Sequence, residues 1–521
     1  MQKVSPSFHQ KSQASVRHHS WALLFSFDKE FDNKSTFFTL DRSLLNGKDI
    51  LAPVGDNVLQ YWDFYRFAPY TDRLISMEWS RELEFPYSVQ SCIATVTLNN
   101  IDNYFSSHTG SPIDQYLIPS RPIKIFSGFN DEPFLQQFVG LTQDKPELDQ
   151  GSNTAKFQAL DYLSELFKLK LSDTISESNI NTADALALLF RQFGIEPNQF
   201  KLERGSNTIP FLFFSSGEDA AEVFRKIMQA EGGRLWIDEA GIFRFDRRTS
   251  IHNDIVFAFD ESSISSLSVT RDTEIINRIT VTSNIREKQQ IQPIHTGSGR
   301  LSEANLSEAI VIPKGGTAEY SFRTDDPVAE LVEPTNGRQV GTSWFSVRTR
   351  GGENIPSGVS IKKITRSASG VSIIFGNSNS YDAFLSAIEV YGAPAKIVDT
   401  IDYDAYDQDS IDKYGEHLLK IENDLFGRES NCQSFAYAVL AAYSEFDAVI
   451  ELTVKSNPAL QLFDIIKVDT RKISGTFQIT KIASSVSGSG ITQTIKARRH
   501  TIRSYFILDK SLLNGSDVLA L

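Results

Sequence analysis

A helix that leads directly into a tight hairpin, within residues 217–248, constrains the fold more than any other stretch of this sequence. Apolar residues recur at three- and four-residue spacing from 220 to 228, which predicts a helix with one apolar stripe. Gly232-Gly233 ends that helix, because glycine adopts a left-handed conformation without a Cβ clash. Alternating residues at 234–237 and 242–245 flank a turn and predict two paired strands. The stretch is a compact packing unit, and nothing in it is typical of catalysis.

The hairpin also carries a resemblance to a known family. Its pattern AEGG-x-L-W-x-D-E-x-G-x-x-R-F is similar to the hub proteins at the lower end of bacteriophage tails, where they form the baseplate hub or tail tip. The similarity continues through residues 275–284, the motif SIDKYG at 410–415 and NPALQLFDIIKV at 457–468, and so touches most of residues 60–500. Each motif alone is ordinary strand, turn and helix chemistry, so their order and spacing carry the resemblance.

Length and composition indicate a globular chain of several domains. The 521 residues are enough for about three to four domains, and a hydrophobic content of 40% with 22% charged residues excludes general disorder. No apolar run approaches the roughly 18 residues of a membrane span. Cys92 and Cys432 are predicted to be buried small hydrophobes, as expected for folding in a reducing cytoplasm. A net charge of −13 argues against a DNA-coating role, which needs a basic surface.

Short β-rich runs separated by Gly, Pro, Asn and Asp predict a mainly β chain with α+β elements. The fold class comprises two small β-barrel domains, a small mixed α/β segment and an inserted β-sandwich. In chain order we expect an N-terminal arm with a first clip repeat (1–60), a first tube-like β-barrel (61–169), a small α/β segment with the helix and hairpin (170–260), a second, split β-barrel (261–284 plus 396–500), the inserted β-sandwich (285–395) and a C-terminal clip repeat (501–521).

Several local expectations accompany this division. Residues 1–35, which are rich in Ser, Gln, His and Lys, predict a poorly ordered arm that leads into a strand at 21–27. The segments 80–99 and 270–284 echo each other, as a duplicated barrel hairpin would. Ile411, Tyr414, Leu418 and Ile421 are spaced to lie on one helical face.

The two clip repeats are nearly the same sequence. Residues 38–52 match residues 506–520 at eleven of fifteen positions. Aspartate can cap one helical turn, Leu-Leu supplies its apolar face, and Asn-Gly closes it. Either the repeats pack on the chain's own surface, or they dock on equivalent surfaces of neighbouring subunits. The predicted protein-interaction residues are Phe38, Leu40, Asp41, Leu44, Leu45, Phe506, Leu508, Asp509, Leu512 and Leu513.

The sequence contains no H-E-x-x-H, no G-x-S-x-G and no protease signature around either cysteine. His18-His19 is predicted to be solvated rather than metal-bound. The acidic stretch 402–412 is the best calcium candidate, but Tyr406 stands at the third ligand position of an EF-hand and the sixth lacks glycine. The alternative is that Asp409 or Ser410 caps the following helix. We therefore expect no catalytic residue, no cofactor and no metal site.

The resemblance implies a structural virion protein of the phage tail rather than an enzyme. In the family, the hub is a trimer whose two barrels per chain form a ring of six barrels around a channel. That ring joins the tail tube or distal tail protein above to tip, spike or fibre proteins below, and genomic DNA passes through without specific binding. The chain would be made in the host cytoplasm, without stable membrane insertion, and would reside in the virion at the tail tip.

Two alternative functions remain open at this point. One is a tail-associated enzyme that degrades the cell wall, for which paired carboxylates could serve. The other is carbohydrate or receptor binding by the 285–395 insert, with Trp344, Phe345 or Tyr391 as a stacking platform. For the hub itself, the charge of −13 predicts a channel lining that is mainly acidic or neutral polar, because basic side chains would hold DNA phosphates.

Overall fold

In the computed structural model, the N-terminal residues form a helix and a strand rather than a poorly ordered arm. The structure describes residues 1–14, 16–27, 67–83, 91–107, 110–248, 250, 254–271, 275–298, 310–367, 369–488 and 490–500. Both clip repeats, with all ten predicted interaction residues, lie outside these ranges.

The described residues are mainly β, which confirms the predicted class. The helices are α1 (Pro6–Gln13), α2 (Tyr162–Leu166), α3 (Thr182–Gln192), α4 (Ala220–Glu231), α5 (Gln408–Tyr414) and α6 (Glu429–Tyr443). The strands up to residue 271 are β1 (His19–Phe25), β2 (Ala68–Pro69), β3 (Leu74–Glu82), β4 (Ile93–Asn99), β5 (Pro122–Phe129), β6 (Leu135–Thr142), β7 (Glu147–Asp149), β8 (Thr154–Leu160), β9 (Ile175–Asn181), β10 (Phe200–Leu202), β11 (Thr208–Phe214), β12 (Arg234–Ile237), β13 (Phe243–Asp246), β14 (Ile255–Asp260) and β15 (Ile264–Arg271).

The remaining strands follow in the second half of the chain. They are β16 (Arg278–Lys288), β17 (Gln292–Ser298), β18 (Ile310–Ile312), β19 (Thr317–Arg323), β20 (Val328–Leu331), β21 (Thr335–Asn336), β22 (Trp344–Arg348), β23 (Val359–Ser367), β24 (Gly370–Asn377), β25 (Ala383–Tyr406), β26 (Leu418–Glu422), β27 (Ala448–Lys455), β28 (Ile465–Asp469), β29 (Ser474–Ser487) and β30 (Gly490–Arg499).

One continuous sheet of 14 strands contains the strands of both predicted barrels. Its main path is β15-β27-β30-β29-β3-β4-β8-β6-β5-β1-β2, with β7 beside β8, and β28 between β29 and β14. We call β1 to β8 the first half of this sheet, and β14, β15 and β27 to β30 the second half. They meet where β29 and β3 pair antiparallel, from Lys481 opposite Glu82 to Val486 opposite Met77. Each half folds around its own apolar core. The barrels are not closed, because β29 of one half pairs with β3 of the other half and the two sets of strands form one sheet.

The helix and hairpin form as predicted. Helix α4 buries its apolar stripe, and Gly232 ends it with φ 67°. Strands β12 and β13 then pair antiparallel. The glutamate of the AEGG motif, Glu231, is fully buried and accepts hydrogen bonds from the backbone N–H groups of Ser206 and Asn207 at 2.8 and 2.9 Å. This carboxylate therefore ties the end of α4 to the loop before β11.

The predicted β-sandwich is present. The three-stranded sheet β19-β24-β23 packs against the sheet built on β25, and side chains of both sheets, including Phe345 and Phe375, share one core. Strand β25 is 24 residues long. It pairs with β16 at one end and with the sandwich strands at the other. Strands β16 and β25 thus run across both expected boundaries of the insert, near 284 and 396.

Three local expectations are wrong. The N-terminal arm is ordered because Ser5 caps α1 and Phe8 is buried against Phe129. The 80–99 and 270–284 echo is not a duplicated hairpin, since residues 95–99 lie in the 14-stranded sheet and residues 280–284 lie on β16 in another sheet. Helix α5 ends at Tyr414, where Gly415 takes φ 83°, so Leu418 and Ile421 lie on strand β26 instead.

Candidate functional site

Eight consecutive strands of the large sheet form a wall with one face buried and one face open. In order they are β15-β27-β30-β29 from the second half and β3-β4-β8 from the first, with β7 beside the start of β8; the end of β8 pairs with β6, through which the sheet continues. Burial alternates along the inner strands of the wall, for example β3, β4, β27 and β30, as expected when only one face covers a core. On β3, for example, Met77, Trp79 and Arg81 point inward, while Glu78 and Ser80 do not.

The open face of this wall is dominated by small hydroxyl side chains. Its uncharged residues include Ser76, Ser80, Thr95, Thr97, Gln158, Ser266, Ser268, Thr453, Ala483, Ser485, Thr492 and Thr494, together with Ile93, which is 41% exposed. Three of the lysines on it face glutamates: Lys481 and Lys496 lie 2.7 and 3.6 Å from the carboxylate of Glu82, and Lys156 lies 3.7 Å from Glu147. Lys455, opposite Thr492, is also on this face and is exposed. A trough of about 450 Å³ crosses the seam between β3 and β29. The face is polar and close to charge-balanced rather than acidic.

The wall ends in two strands with one partner each among the described residues. Strand β15 pairs with β27, and almost all its residues are exposed, including Val269 at 42%. At the other end, β7 pairs with β8, and all three of its residues are exposed. An edge strand presents unpaired N–H and C=O groups that can accept another strand. Both ends of the wall are thus open to pairing.

A buried charged cluster locks the two halves to the hairpin. We call Arg81, Glu239 and Gln461 the three-way junction. Arg81 on β3 donates to Glu239 in the hairpin turn, and both side chains are only 9% exposed. The Gln461 amide, from the NPALQLF loop, donates to the other Glu239 oxygen at 2.6 Å. One carboxylate therefore joins the first half, the hairpin and the second half.

The residues beside the junction hold it rigidly. Asp238 accepts hydrogen bonds from the N–H groups of Ala240 and Ile242, both at 3.0 Å, and so fixes the turn. Phe463 takes φ 67°, which bulky residues rarely adopt. Its ring packs edge-on against Trp236 with centroids 5.0 Å apart, and the guanidinium of Arg234 lies 4.0 Å from its centroid. Sequence reasoning missed this role of the DE turn and the NPALQLF motif, although both lie within the quoted motifs.

Helix α1 crosses the same seam from outside. Phe8 is 2% exposed and contacts Phe129 of the first half and Ala459 of the second. The Gln2 N–H donates to the Ala459 carbonyl at 2.8 Å, and Ser5 donates to Glu132 at 2.9 Å. Residues 1–14, the N-terminal strap, therefore contact both halves of the large sheet.

The acidic residues weighed as a calcium site take structural roles. Asp407, not Asp409 or Ser410, caps α5 by accepting the Ser410 N–H at 3.1 Å. Asp404 pairs with Arg278 at 3.0 Å on neighbouring strands. Within the described ranges, no group of three or more His, Cys, Asp or Glu residues is placed to hold a metal ion.

The structure also shows the surroundings of the histidine pair and of the two cysteines. His18 is exposed as predicted, but His19 is partly buried with its ring centroid 4.9 Å from that of Phe129, and burial lowers its pKa to about 4. Cys92 and Cys432 are free and buried, as predicted. Burial raises the pKa of both thiols, which disfavours the nucleophilic thiolate. No helix in the part of the chain that the structure describes is long and apolar enough to cross a membrane.

Comparison with known proteins gives similar structures but no matching sequence family. No family model matches the chain, and no curated protein matches it. The 43 kDa tail protein of prophage MuSo2 from Shewanella oneidensis is 11% identical, with a TM-score of 0.44 over 83% of this chain and 95% of that one. A tail protein from Neisseria meningitidis MC58 is 9% identical, with a TM-score of 0.46 over 83% and 94%. Prophage tail protein gp18 from Listeria monocytogenes is 8% identical, with a TM-score of 0.41 over 84% and 92%.

Proposed function

We propose that this chain is a structural hub of a phage tail, in which three copies form a ring around a channel. The observation that carries the proposal is the eight-stranded wall, which has one polar open face and, at each end, a strand with a single partner within the described residues. Each chain contributes two four-stranded halves, so three chains contribute six. Such a ring has threefold symmetry, because it contains three chains, and approximate sixfold symmetry, because it contains six four-stranded halves. The approximate sixfold symmetry suits a sixfold tail tube.

Strand direction supports closure of the ring. Every neighbouring pair in the wall is antiparallel. With eight strands in strict alternation, β15 and β7 run in opposite directions. Strand β15 of one copy can therefore pair antiparallel with β7 of the next, and the alternation continues without a break. Head-to-tail pairing of this kind removes the exposed edges that a single copy presents.

The open face suits a conduit for DNA. Hydroxyl side chains offer no charge to phosphates, and each lysine that lies within 4 Å of a glutamate is already partly neutralised. Unpaired Lys or Arg side chains would instead hold DNA through salt-dependent contacts. We therefore infer a neutral polar lining. The lysines on this face differ from our expectation that basic residues would lie elsewhere.

The sequence resemblance supplies the neighbours in this proposal. The ring would contact the tail tube or a distal tail protein on one side and tip, spike or fibre proteins on the other. We place the chain in the virion, at the tail tip, after synthesis in the host cytoplasm. Its role there is structural rather than enzymatic, and the two buried thiols and the paired carboxylates described above fit that role.

Mass measurement tests the ring. Native mass spectrometry at micromolar concentration should give three times the chain mass of 58.4 kDa, about 175 kDa. Proline then tests the β15 edge. Because N–H groups along an antiparallel strand alternate between its two sides, Ser268→Pro and Val269→Pro form a matched pair. At one of these two positions, the proline removes a backbone hydrogen bond to β27 within the chain. At the other position, it removes only an N–H group on the free edge of β15.

We expect the free-edge variant to keep the wild-type melting temperature and to run as a monomer. The other proline variant should have a lower melting temperature, because its proline breaks a hydrogen bond between β15 and β27. A wild-type chain that stays monomeric inside purified tails would refute the ring. Trimers of undiminished stability in both proline variants would refute the role of β15 while leaving another interface to be found.

A further inference from the structure

The sandwich carries a cluster of aromatic and acidic side chains that neither the wall nor the junction uses. Trp344 lies on β22, and Glu389 and Tyr391 lie on β25. The Trp344 indole N–H donates to Glu389 Oε2 at 2.7 Å. The Tyr391 hydroxyl donates to Glu389 Oε1 at 3.3 Å. One carboxylate thus holds both rings in fixed positions.

This cluster faces away from the sandwich core. Residues alternate between faces along a strand, and the neighbours Phe345, Ile388 and Val390 are all buried in the core. Trp344 and Tyr391 are partly exposed on the opposite face. Of the three aromatic residues suggested by the sequence as a stacking platform, Phe345 is therefore excluded, and the other two are brought together by Glu389.

The surroundings extend the cluster into a flat platform. Thr296 and Pro293 on β17 lie directly across β25, opposite Glu389 and Tyr391, and both are exposed. On the other side, the guanidinium of Arg338 lies 5.5 Å from the centroid of the Trp344 ring. The platform therefore combines apolar ring surface, a hydroxyl and a partly exposed carboxylate on one rigid sheet.

We propose that this platform binds a neutral polysaccharide built from hexopyranose units. The apolar C–H face of a pyranose ring stacks on an indole, which is large, rigid and amphipathic. A carboxylate offers about four lone-pair positions, and two on Glu389 are used by Trp344 and Tyr391. The others can accept sugar hydroxyls. A polymer suits a flat face better than a small soluble sugar, which needs a concave pocket.

Charge selects a neutral ligand over an anionic one, and a saccharide over a protein. Glu389 stands at the centre of the platform, and the whole chain carries −13, so a polyanion is repelled despite Arg338. Trp, Tyr and Arg are also frequent at protein interfaces. However, covering Glu389 with an apolar protein surface would desolvate its charge, whereas sugar hydroxyls would satisfy it. The inference does not depend on the proposed ring.

A pull-down of the intact protein on insoluble polysaccharides tests the proposal. The neutral probes are cellulose and chitin, and cross-linked polygalacturonate is the anionic probe. We expect the wild-type protein to be retained on at least one neutral probe, and Trp344→Ala to lower the retained fraction at least tenfold. Tyr381→Ala is the matched control, because Tyr381 is an exposed aromatic residue of the same sandwich at 46% exposure. It should be retained as the wild type is.

Glu389→Gln provides a second, smaller change that keeps the shape of the side chain. We expect it to weaken retention several-fold, since an amide accepts fewer hydrogen bonds than a carboxylate. Equal melting temperatures would show that each variant is folded. If Trp344→Ala does not fold, Glu389→Gln decides, and retention equal to wild type would overturn the proposal. Absence of retention on both neutral probes, or retention on the anionic probe alone, would also overturn it.

Discussion

Removal of the Glu239 carboxylate should destabilise the protein far more than removal of a surface carboxylate. Glu239→Ala leaves the Arg81 guanidinium without its counter-charge at a site where both side chains are 9% exposed. Arg81 keeps a hydrogen bond to the Gln137 carbonyl, and its Nε has no hydrogen-bond partner within the described ranges. The arginine would then be a buried charge without a carboxylate in direct contact, on which Asp238 and Asp161 act only through longer-range attraction.

The size of the effect follows from this burial. Breaking a buried ion pair by removing one partner costs about 3–5 kcal/mol. The Gln461 amide also loses its acceptor at 2.6 Å, but it is partly exposed and can bond to water. The control is the pair Glu222 and Arg225 on α4, which are 52% and 55% exposed. Glu222→Ala should cost about 0.3–0.5 kcal/mol.

Urea denaturation of the two variants and the wild type measures this difference. A third variant, Glu239→Leu combined with Arg81→Met, removes both charges and should recover most of the loss, because apolar residues can replace a buried ion pair with little cost. If Glu239→Ala costs no more than Glu222→Ala, the junction does not hold the two halves together. If the double variant is as unstable as the single one, the loss arises from packing rather than from the uncompensated charge.

Three further changes test other parts of the molecule. Phe8→Ala should release the N-terminal strap at a cost of about 3 kcal/mol and speed its cleavage in limited proteolysis, while Val16→Ala, at 70% exposure, should not. Burial raises the pKa of Asp161 from 3.8 to about 6, so its contribution is complete below about pH 4 and lost as the pH rises past 6. The unfolding free energy of the wild type relative to Asp161→Asn should then fall by about 2 kcal/mol from pH 4 to pH 7, and a rise would contradict it. Leu512→Ala with Leu513→Ala should weaken docking to a neighbouring subunit while the sheets still fold; unchanged assembly in a mass measurement would exclude shared docking.

The sequence by itself determined the features that depend on local pattern. The apolar stripe and the glycine pair were sufficient for α4 and its end at Gly232, because both follow from helical spacing and from the freedom of glycine at positive φ. Alternation of apolar and polar residues was sufficient to predict most strands and the mainly β class. Composition and spacing also predicted that Cys92 and Cys432 would be buried and unpaired, which the structure confirms.

Expectations were wrong where a distant residue decided the outcome. The polar composition of residues 1–35 predicted disorder, but the pocket for Phe8 is formed by Phe129 and Ala459, which lie far along the chain. The spacing of residues 411–421 fits a helix, yet Gly415 breaks it and Ile421 pairs with Val281 instead. A local pattern ranks helix against strand but contains no information about such partners.

Strand pairing shows the same limit most clearly. A period of two tells which side chains share a face, but any strand with that period can pair with any other. Only the tertiary structure brought β29 beside β3, some 400 residues apart in sequence, and moved β16 into a different sheet from β4. It also placed Glu239 against Arg81, so that a hairpin turn, ordinarily a solvent-exposed element, became a buried junction. The class of the fold is a local property of this sequence, whereas the continuous wall is a consequence of long-range pairing.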